Sequence, residues 1–226
     1  MAEQIDSHRY LPLFIDLSDR KVVIFGGGSV GLRKASLFSD YAHTIVISAD
    51  FVPELRDLSS SSSVELVSMD LLSVSDEKIE ELVMDAFLVI PATNMVGLND
   101  RINEFARRSG ALVNRVDMAD DVVIPSVINR GGLTIGISTL GSSPAVSKYT
   151  RKKIETFITP QYGDMIKLQD EIRNLLKGKV AEQKTRKAIL WEILEDRSVW
   201  EALEVSYEKG YNIASDIVQE HISKKG

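Results

Sequence analysis

Residues 21–38, "KVVIFGGGSVGLRKASLF", carry the clearest indication of how this chain folds. Its first five residues form an apolar, β-branched run of the kind that makes a buried parallel strand. Gly26, Gly28 and Gly31 then fit the pattern G-x-G-x-x-G at a strand-to-helix turn. In that pattern the first glycine permits the tight turn, the second lets a pyrophosphate approach the backbone, and the third lets helix and strand pack closely. The N–H groups at the start of the helix would face the phosphates.

An isolated glycine pattern is weak evidence, since a glycine-rich turn that merely packs tightly gives the same match. Here a second strand, Thr44–Ser48, completes a βαβ unit, and Asp50 follows it. That is close to the distance of about 20 residues at which such folds place a ribose-binding acid. We therefore predict bound NAD rather than NADP, with Asp50 accepting hydrogen bonds from the adenosine ribose. No arginine stands at position 48 or 49 to meet a 2′-phosphate, although Arg56 is near.

The alternation of strands and helices continues to about residue 115. It predicts a doubly wound, Rossmann-type parallel sheet with its ligand at the carboxyl ends of the strands. The further predicted strands are Val64–Ser68, Ala86–Ile90 and Ala111–Asn114, and the further predicted helices are Asp76–Met84 and Val96–Arg108. Thr93, just after the fourth strand, could line the cofactor crevice or could simply cap the turn.

The pattern changes after residue 115. Two β-branched runs around Gly131-Gly132 predict a hairpin, and Ser143 followed by Pro144 predicts the start of a helix. The remainder is rich in leucine and isoleucine at helical spacing, with breaks expected near Gly178, Asp196 and Gly210. The predicted fold class is therefore an α/β Rossmann-type domain (residues 1–115), a small α+β dimerisation segment (residues 116–159), and an all-helical C-terminal domain (residues 160–226). Because a lone hairpin leaves its edges exposed, we expect a homodimer through the middle segment.

Composition excludes several classes of function. The 226 residues include no cysteine and only three histidines, so we expect neither a disulfide nor a permanent metal site. A net charge of −6 argues against general nucleic-acid binding. We see no apolar stretch long enough to cross a membrane and no signal-peptide pattern, so we expect a cytoplasmic protein.

Asp117 is the candidate catalytic residue, because it follows the fifth predicted strand at the ligand-binding edge of the sheet. A carboxylate there can act as a general base, although it can also be an ordinary turn acid. A nearby concentration of basic residues suggests an anionic ligand, although such runs are often solvated surfaces; its members are Arg115, Arg130, Lys148, Arg151, Lys152 and Lys153. Tyr149 and Lys153 match Y-x-x-x-K of short-chain dehydrogenases, but the glycine spacing differs, and we expect Tyr149 to pack in the core.

Several stretches together resemble the precorrin-2 dehydrogenase family. They are residues 11–38, "PATN" at 91–94, the run from 113 to 155, and "LWEILEDRSVWEAL" at 190–203. This family includes bifunctional precorrin-2 dehydrogenase/sirohydrochlorin ferrochelatases and the N-terminal half of fused sirohaem synthases. The run from Asp117 to Pro144 is the most specific part of the match. Two departures are Thr139, where some members have a serine, and Arg115, where valine is usual.

The resemblance implies an oxidoreductase of sirohaem biosynthesis that oxidises precorrin-2 to sirohydrochlorin with NAD⁺. It also implies cofactor contacts at Ser29, Val30, Ala49 and Asp50, and a role for Asp117 in both dehydrogenation and chelation. Some members are also ferrochelatases, a lyase activity in which transient Fe²⁺ enters the tetrapyrrole as substrate. Since the sequence ends at Gly226, we expect no methyltransferase half. The rival interpretation is a regulatory nucleotide-binding module that does no chemistry.

Overall fold

The computed structural model describes residues 10–115 and 121–223. The chain divides into two compact units, Met1–Ile124 and Pro125–Gly226. Each unit is described below by itself.

The first unit is built on a parallel five-stranded sheet in the order β3-β2-β1-β4-β5. The strands are β1 (Lys21–Phe25), β2 (His43–Ser48), β3 (Val64–Ser68), β4 (Leu88–Pro91) and β5 (Leu112–Val113). The helices between them are α1 (Ser29–Phe38), α2 (Pro53–Ser61), α3 (Asp76–Val83) and α4 (Val96–Arg108). The order reverses direction at β1, so the crevice for a ligand opens beside the β1–α1 turn.

Helices cover both faces of this sheet. Residues of β1 alternate between two apolar cores: Val23 and Phe25 pack with α3 and α4, whereas Val22 and Ile24 pack with α1 and α2. All four of these side chains are fully buried. A strand that is buried on both faces reads as a continuous apolar run, which explains why "KVVIF" was recognisable as a parallel strand.

In the second unit, the residues that the structure describes form one hairpin and five helices. Strands β6 (Ser126–Arg130) and β7 (Leu133–Ile137) pair antiparallel. The helices are α5 (Pro144–Glu155), α6 (Gln161–Lys179), α7 (Gln183–Glu195), α8 (Arg197–Val205) and α9 (Tyr207–Ser223). The apolar residues of α6 to α9 form one core, which includes Met165, Leu168, Ile193 and Val218.

The predicted fold class is confirmed. The predicted strands Lys21–Phe25 and Val64–Ser68 and the predicted helix Val96–Arg108 match their observed bounds. The other strands and the helix α3 differ from their predicted bounds by one or two residues at an end, and the helix α2 was not predicted. The predicted start of α5 is also confirmed, because Ser143 accepts a 3.3 Å hydrogen bond from the backbone N–H of Val146. That bond satisfies one of the N–H groups that a helix start leaves without a partner.

Two expectations in the second unit are wrong. Gly210 does not break the helical tail but lies buried inside α9, where a Cβ atom would collide with the side chain of Leu203; the break falls at Ser206. Tyr149 is not in the core, since it is 64% exposed and no residue of α5 is buried. Other described residues of the chain cover only part of the apolar face of α5: Ile154 is half-buried, whereas Val146 and Tyr149 are more than half exposed.

None of the helices formed by the described residues combines the length and the apolarity that crossing a membrane requires.

Candidate functional site

The glycine turn between β1 and α1 is dictated by close backbone contacts. Gly26 has φ +124°, a conformation that L side chains rarely adopt. A Cβ atom on Gly26 would strike the carbonyl of Ala92, and one on Gly31 would strike the carbonyl of Gly26. A Cβ atom on Gly27 would collide with the carbonyl oxygen of Asp50. The packing of the protein itself therefore accounts for these three glycines.

Gly28 is different, because a Cβ atom there would meet nothing within 4 Å. Its backbone is ordinary, with φ −85°, and it occupies the N-cap position of α1. No side chain among the described residues caps this helix start. The free space in front of helix N–H groups has the form that a pyrophosphate needs, so the residues present fit a dinucleotide.

A cavity of about 660 Å³ opens at this turn. Its lining includes seven of the eight predicted cofactor residues: Gly26, Gly28, Ser29, Val30, Ala49, Asp50 and Thr93. The eighth, Gly31, lies behind them and permits the close approach of α1 to the turn. Among the described residues, the lining contains two carboxylates, Asp50 and Asp70, and no lysine, arginine or histidine.

Backbone hydrogen bonds hold the loop that carries Asp50 against the glycine turn. The N–H of Gly26 donates to the carbonyl of Ile47 at 2.9 Å, and the N–H of Val52 donates to the carbonyl of Gly27 at 3.0 Å. Asp50 lies between these two anchors, which explains why an acid after β2 faces the same cavity as the turn after β1. Arg56, which raised the question of a 2′-phosphate, has its guanidinium 5.7 Å from the ring centre of Phe51.

Thr93 lines the cavity, but its hydroxyl is engaged within the β4–α4 turn. The hydroxyl donates to Oδ1 of Asn99 at 2.7 Å and accepts from the N–H of Met95 at 3.2 Å. The Asn99 amide in turn donates to the Thr93 carbonyl at 3.0 Å. Both interpretations from the sequence, a crevice residue and a turn cap, describe part of what this residue does.

Asp117 lies outside the described residues. The chain on either side of it is anchored by Asn114, one of two buried polar residues among those described. The Asn114 amide donates to the carbonyl of Val122 at 2.7 Å, and the amine of Lys34 donates to Oδ1 of Asn114 at 2.7 Å. Burial, together with the neighbouring charge of Arg33, lowers the pKa of Lys34 to about 8. Sequence reasoning did not single out Lys34 or Asn114, because only the fold brings α1 to the end of β5.

Asp70 was also missed, although a signal was present. Strands β2 and β3 pair Ser48 with Ser68, and the N–H of Met69 extends the pairing to the carbonyl of Ser48 at 2.9 Å. Asp70 therefore follows β3 by two residues, as Asp50 follows β2. A search for acids at the same offset behind each predicted strand would have found it.

The basic residues singled out from the sequence are distributed over both units. Arg115 forms a 2.7 Å ion pair with Asp100, and Nε of Arg130 donates to the carbonyl of Ile158 at 3.1 Å. Both guanidinium groups therefore form contacts within their own unit. The three lysines Lys148, Lys152 and Lys153 lie exposed on α5.

Comparisons with known proteins agree with this geometry. Residues 13–126 match the NAD_binding_7 family of NAD(P)-binding domains. The chain is 55% identical over 96% of its length to a precorrin-2 dehydrogenase of Methanosarcina barkeri, and the match covers 96% of that protein. It is 32% and 34% identical over 81% of its length to siroheme synthases of Zymomonas mobilis and Ectopseudomonas mendocina, of which it spans 38% each.

A solved structure shares the fold. The precorrin-2 dehydrogenase SirC superposes with a TM-score of 0.69 over 93% of this chain and 100% of that one, at 22% sequence identity. The sheet order, the glycine turn and the full-length similarity to the Methanosarcina protein lead to one assignment: this chain belongs to the precorrin-2 dehydrogenase family.

Proposed function

We propose that this protein oxidises precorrin-2 to sirohydrochlorin in sirohaem biosynthesis, with NAD⁺ as the oxidant. The observation that carries the proposal is the open space beside Gly28, which lines a cavity at a helix start, in a chain 55% identical to a precorrin-2 dehydrogenase. The reaction removes two hydrogens from the tetrapyrrole. When bound, the nicotinamide takes one of them as a hydride, and the other leaves as a proton.

The role of the glycine turn is to bind and orient the dinucleotide. Backbone N–H groups at Ser29 and Val30 face the phosphates, and the dipole of α1 favours their negative charge. Gly28 keeps side-chain atoms out of the space that the pyrophosphate requires.

The charges of the cavity favour NAD over NADP. Asp50 is placed to accept hydrogen bonds from the 2′- and 3′-hydroxyls of the adenosine ribose. A 2′-phosphate would instead meet the carboxylate of Asp50, and no cationic side chain among the described lining residues would compensate its charge. Arg56, the nearest candidate in sequence, is stacked beside Phe51.

We assign to Asp117 the removal of the proton that the tetrapyrrole loses. A carboxylate that follows β5 comes at the edge of the sheet where ligands of this fold bind, and it can act as a general base for the proton that the tetrapyrrole loses. The support is the residue's place in the sequence, two positions after Arg115, together with the family to which the chain belongs. Insertion of Fe²⁺ into the product, with the metal as substrate, is a further prediction for the same residue.

Two features of the second unit support a tetrapyrrole substrate and a dimer. Precorrin-2 carries many carboxylates, and the exposed lysines of α5 supply charges that such a ligand needs. The apolar residues Leu140, Val146, Tyr149 and Phe157 are between 48% and 73% exposed within the chain. Apolar side chains concentrated in one segment are typical of an interface, so we propose that a second copy of the chain covers them.

The experiment that tests the reaction mixes purified protein, NAD⁺ and freshly prepared precorrin-2 and follows the absorbance of NADH. We expect NADH to form in proportion to sirohydrochlorin. A folded protein that binds NAD⁺ but forms no NADH with precorrin-2 would instead support the regulatory nucleotide-binding module.

A further inference from the structure

The cavity beside the glycine turn continues past Asp50 to a second acid, which the proposed reaction leaves without a role. Asp70 and Leu72 line the cavity from the loop after β3, and Phe51 lines it from the loop after β2. Leu72 is 72% exposed, so its side chain is accessible to a ligand in the cavity. This end of the cavity therefore offers apolar surface and one carboxylate.

The sheet order determines which part of a dinucleotide reaches this end. The order β3-β2-β1 places the loops after β1, β2 and β3 side by side, about 4.8 Å apart for each strand. With the pyrophosphate at the β1 turn and the ribose at Asp50 after β2, the next group outward is the base. The loop after β3, which carries Asp70, is also the next loop outward, so we expect it beside the base.

The carboxylate of Asp70 is held in a fixed orientation. Its Oδ1 accepts from the N–H of Leu72 at 2.9 Å, and its Oδ2 accepts from the hydroxyl of Ser73 at 3.0 Å. A carboxylate has about four acceptor positions, so these two bonds leave acceptor capacity on each oxygen. The group is anchored and still able to accept a hydrogen bond from a ligand in the cavity.

We propose that Asp70 recognises the adenine of the cofactor by accepting a hydrogen bond from its exocyclic 6-amino group, while Phe51 and Leu72 contact the faces of the ring. A flat heteroaromatic ring with one amino group matches this combination of apolar surface and a lone carboxylate. The inference rests on the proposed NAD function, and it assigns a specificity to the base that the ribose and phosphate contacts do not supply.

The test measures binding rather than turnover. Calorimetry on the full chain compares NAD⁺ with nicotinamide hypoxanthine dinucleotide, in which a carbonyl oxygen of similar size replaces the 6-amino group. We expect the native protein to bind NAD⁺ about tenfold or more tightly, the scale of one hydrogen bond to a charged group. In Asp70→Asn the side-chain amide can donate to the carbonyl of hypoxanthine or accept from the 6-amino group of adenine. The ratio of the two affinities should therefore fall close to one.

Asp70→Asn retains the acceptor for the Leu72 N–H, so the loop keeps its anchor. The matched control is Asp57→Asn, an exposed acid on α2 outside the cavity lining, which should leave the ratio unchanged. Equal affinity of the native protein for both dinucleotides, or an unchanged ratio in Asp70→Asn, would overturn the inference alone. Asp70→Asn could also change the ratio of NAD⁺ affinity to NADP⁺ affinity while leaving the ratio between NAD⁺ and its hypoxanthine analogue unchanged. That outcome would place Asp70 at the ribose and would overturn the inference too. Binding of neither dinucleotide would remove the proposed cofactor and this inference together.

Discussion

The amine of Lys34 on α1 donates a 2.7 Å hydrogen bond to the side-chain carbonyl of Asn114, 80 residues further along the chain. The same asparagine donates through its amide to the carbonyl of Val122 at 2.7 Å and through its backbone N–H to Val89 at 3.1 Å. One buried side chain thus joins α1, the end of β5 and the chain beyond residue 121. Its side-chain oxygen, side-chain amide and backbone N–H each have a partner, so loss of the Lys34 amine would leave a buried oxygen without its donor.

The lowered pKa of Lys34 predicts a specific dependence of stability on pH. Burial lowers that pKa from 10.5 to about 8 in the folded chain. Between these two values the unfolded chain binds more protons than the folded chain, so the free energy of unfolding should rise with pH over this window. Below pH 8 both states are protonated and the cost of burying the ammonium is constant.

The measurement is urea unfolding at several pH values between 7.5 and 10, on the native chain and on Lys34→Met. The rise with pH should be smaller in Lys34→Met, and the exposed-lysine control Lys187→Met should keep the native slope. Since the comparison uses slopes, the donor that Asn114 loses in the variant does not affect it. Parallel slopes for the native chain and Lys34→Met would show that this amine is not the group responsible.

Substitutions at Gly28, Gly31 and Gly97 should separate effects on NAD⁺ binding from effects on folding. In Gly28→Ala the added methyl group meets no protein atom, and alanine is a poorer N-cap than glycine, so stability should fall by no more than about 1 kcal/mol, whereas NAD⁺ affinity should fall about tenfold or more. Gly28→Asp should abolish binding, since it adds charge repulsion. In Gly31→Ala the methyl would collide with the carbonyl of Gly26, which should cost about 1–3 kcal/mol of stability.

Gly97→Ala is the control, because Gly97 also has open space around it but lies outside the cavity lining. It should change neither stability nor binding by much. Calorimetry with NAD⁺ and thermal unfolding of each variant provide the two measurements. Unchanged NAD⁺ affinity in Gly28→Asp would show that the dinucleotide does not bind at this turn.

The local pattern was enough to predict the parts of the fold that depend on neighbours in sequence. The buried strand β1, the glycine turn and the Ser143 cap each arise from residues within a few positions of one another, so periodicity and capping rules found them. The expectation at Gly210 was wrong because, in sequence, a buried glycine inside a helix looks like a helix end. Glycine is needed at this position because Leu203 of the preceding helix leaves no space for a Cβ atom.

Contacts between segments that are far apart in the sequence could not be predicted from local patterns. Nothing in the sequence near Lys34 shows that its amine meets Asn114, since the pairing depends on the order of the strands in the sheet. Tyr149 was misplaced for a related reason: an apolar helix face predicts burial, but it does not say whether the same chain provides the cover. The exposed position of Tyr149 is what the proposed dimer would explain.

Asp50 should determine the choice between NAD⁺ and NADP⁺. In Asp50→Ala the ribose loses a hydrogen-bond acceptor and a 2′-phosphate loses a repulsive charge. NAD⁺ should therefore weaken by roughly tenfold, and NADP⁺ should weaken less or improve. Titration of both cofactors against Asp50→Ala, with Asp57→Ala on exposed α2 as control, checks this. Equal weakening of the two cofactors would remove the ribose role.

The exposed apolar residues of the second unit predict a dimer at micromolar concentration. Tyr149→Glu places a charge in the middle of the proposed interface and should shift the sedimentation coefficient toward that of a monomer. Tyr41→Glu is the matched control, because Tyr41 is 46% exposed but lies in the first unit. It should leave the mass unchanged. A monomeric native protein would refute the interface.

Asp117 provides the sharpest distinction between an enzyme and a binding module. As a general base it should contribute to proton removal and little to folding, so Asp117→Ala should keep NAD⁺ affinity and thermal stability close to native. The rate of NADH formation from precorrin-2 should fall by about 10²-fold or more, the scale of losing a general base. Asp117→Asn, which keeps the shape and removes the charge, should be impaired to a similar degree.

The control for Asp117 is its neighbour Asp121, whose carboxylate accepts from the N–H of Val113 at 3.3 Å and lies 3.4 Å from the guanidinium of Arg107. Asp121→Ala should lower stability by about 1 kcal/mol while the turnover of the folded fraction stays near native, so the two variants should show opposite patterns. Insertion of Fe²⁺ or Co²⁺ into sirohydrochlorin, followed by absorbance, extends the comparison to chelation and should fail in Asp117→Ala if the native protein chelates. Native turnover with undiminished Asp117→Ala would keep the enzyme and assign the proton to another group.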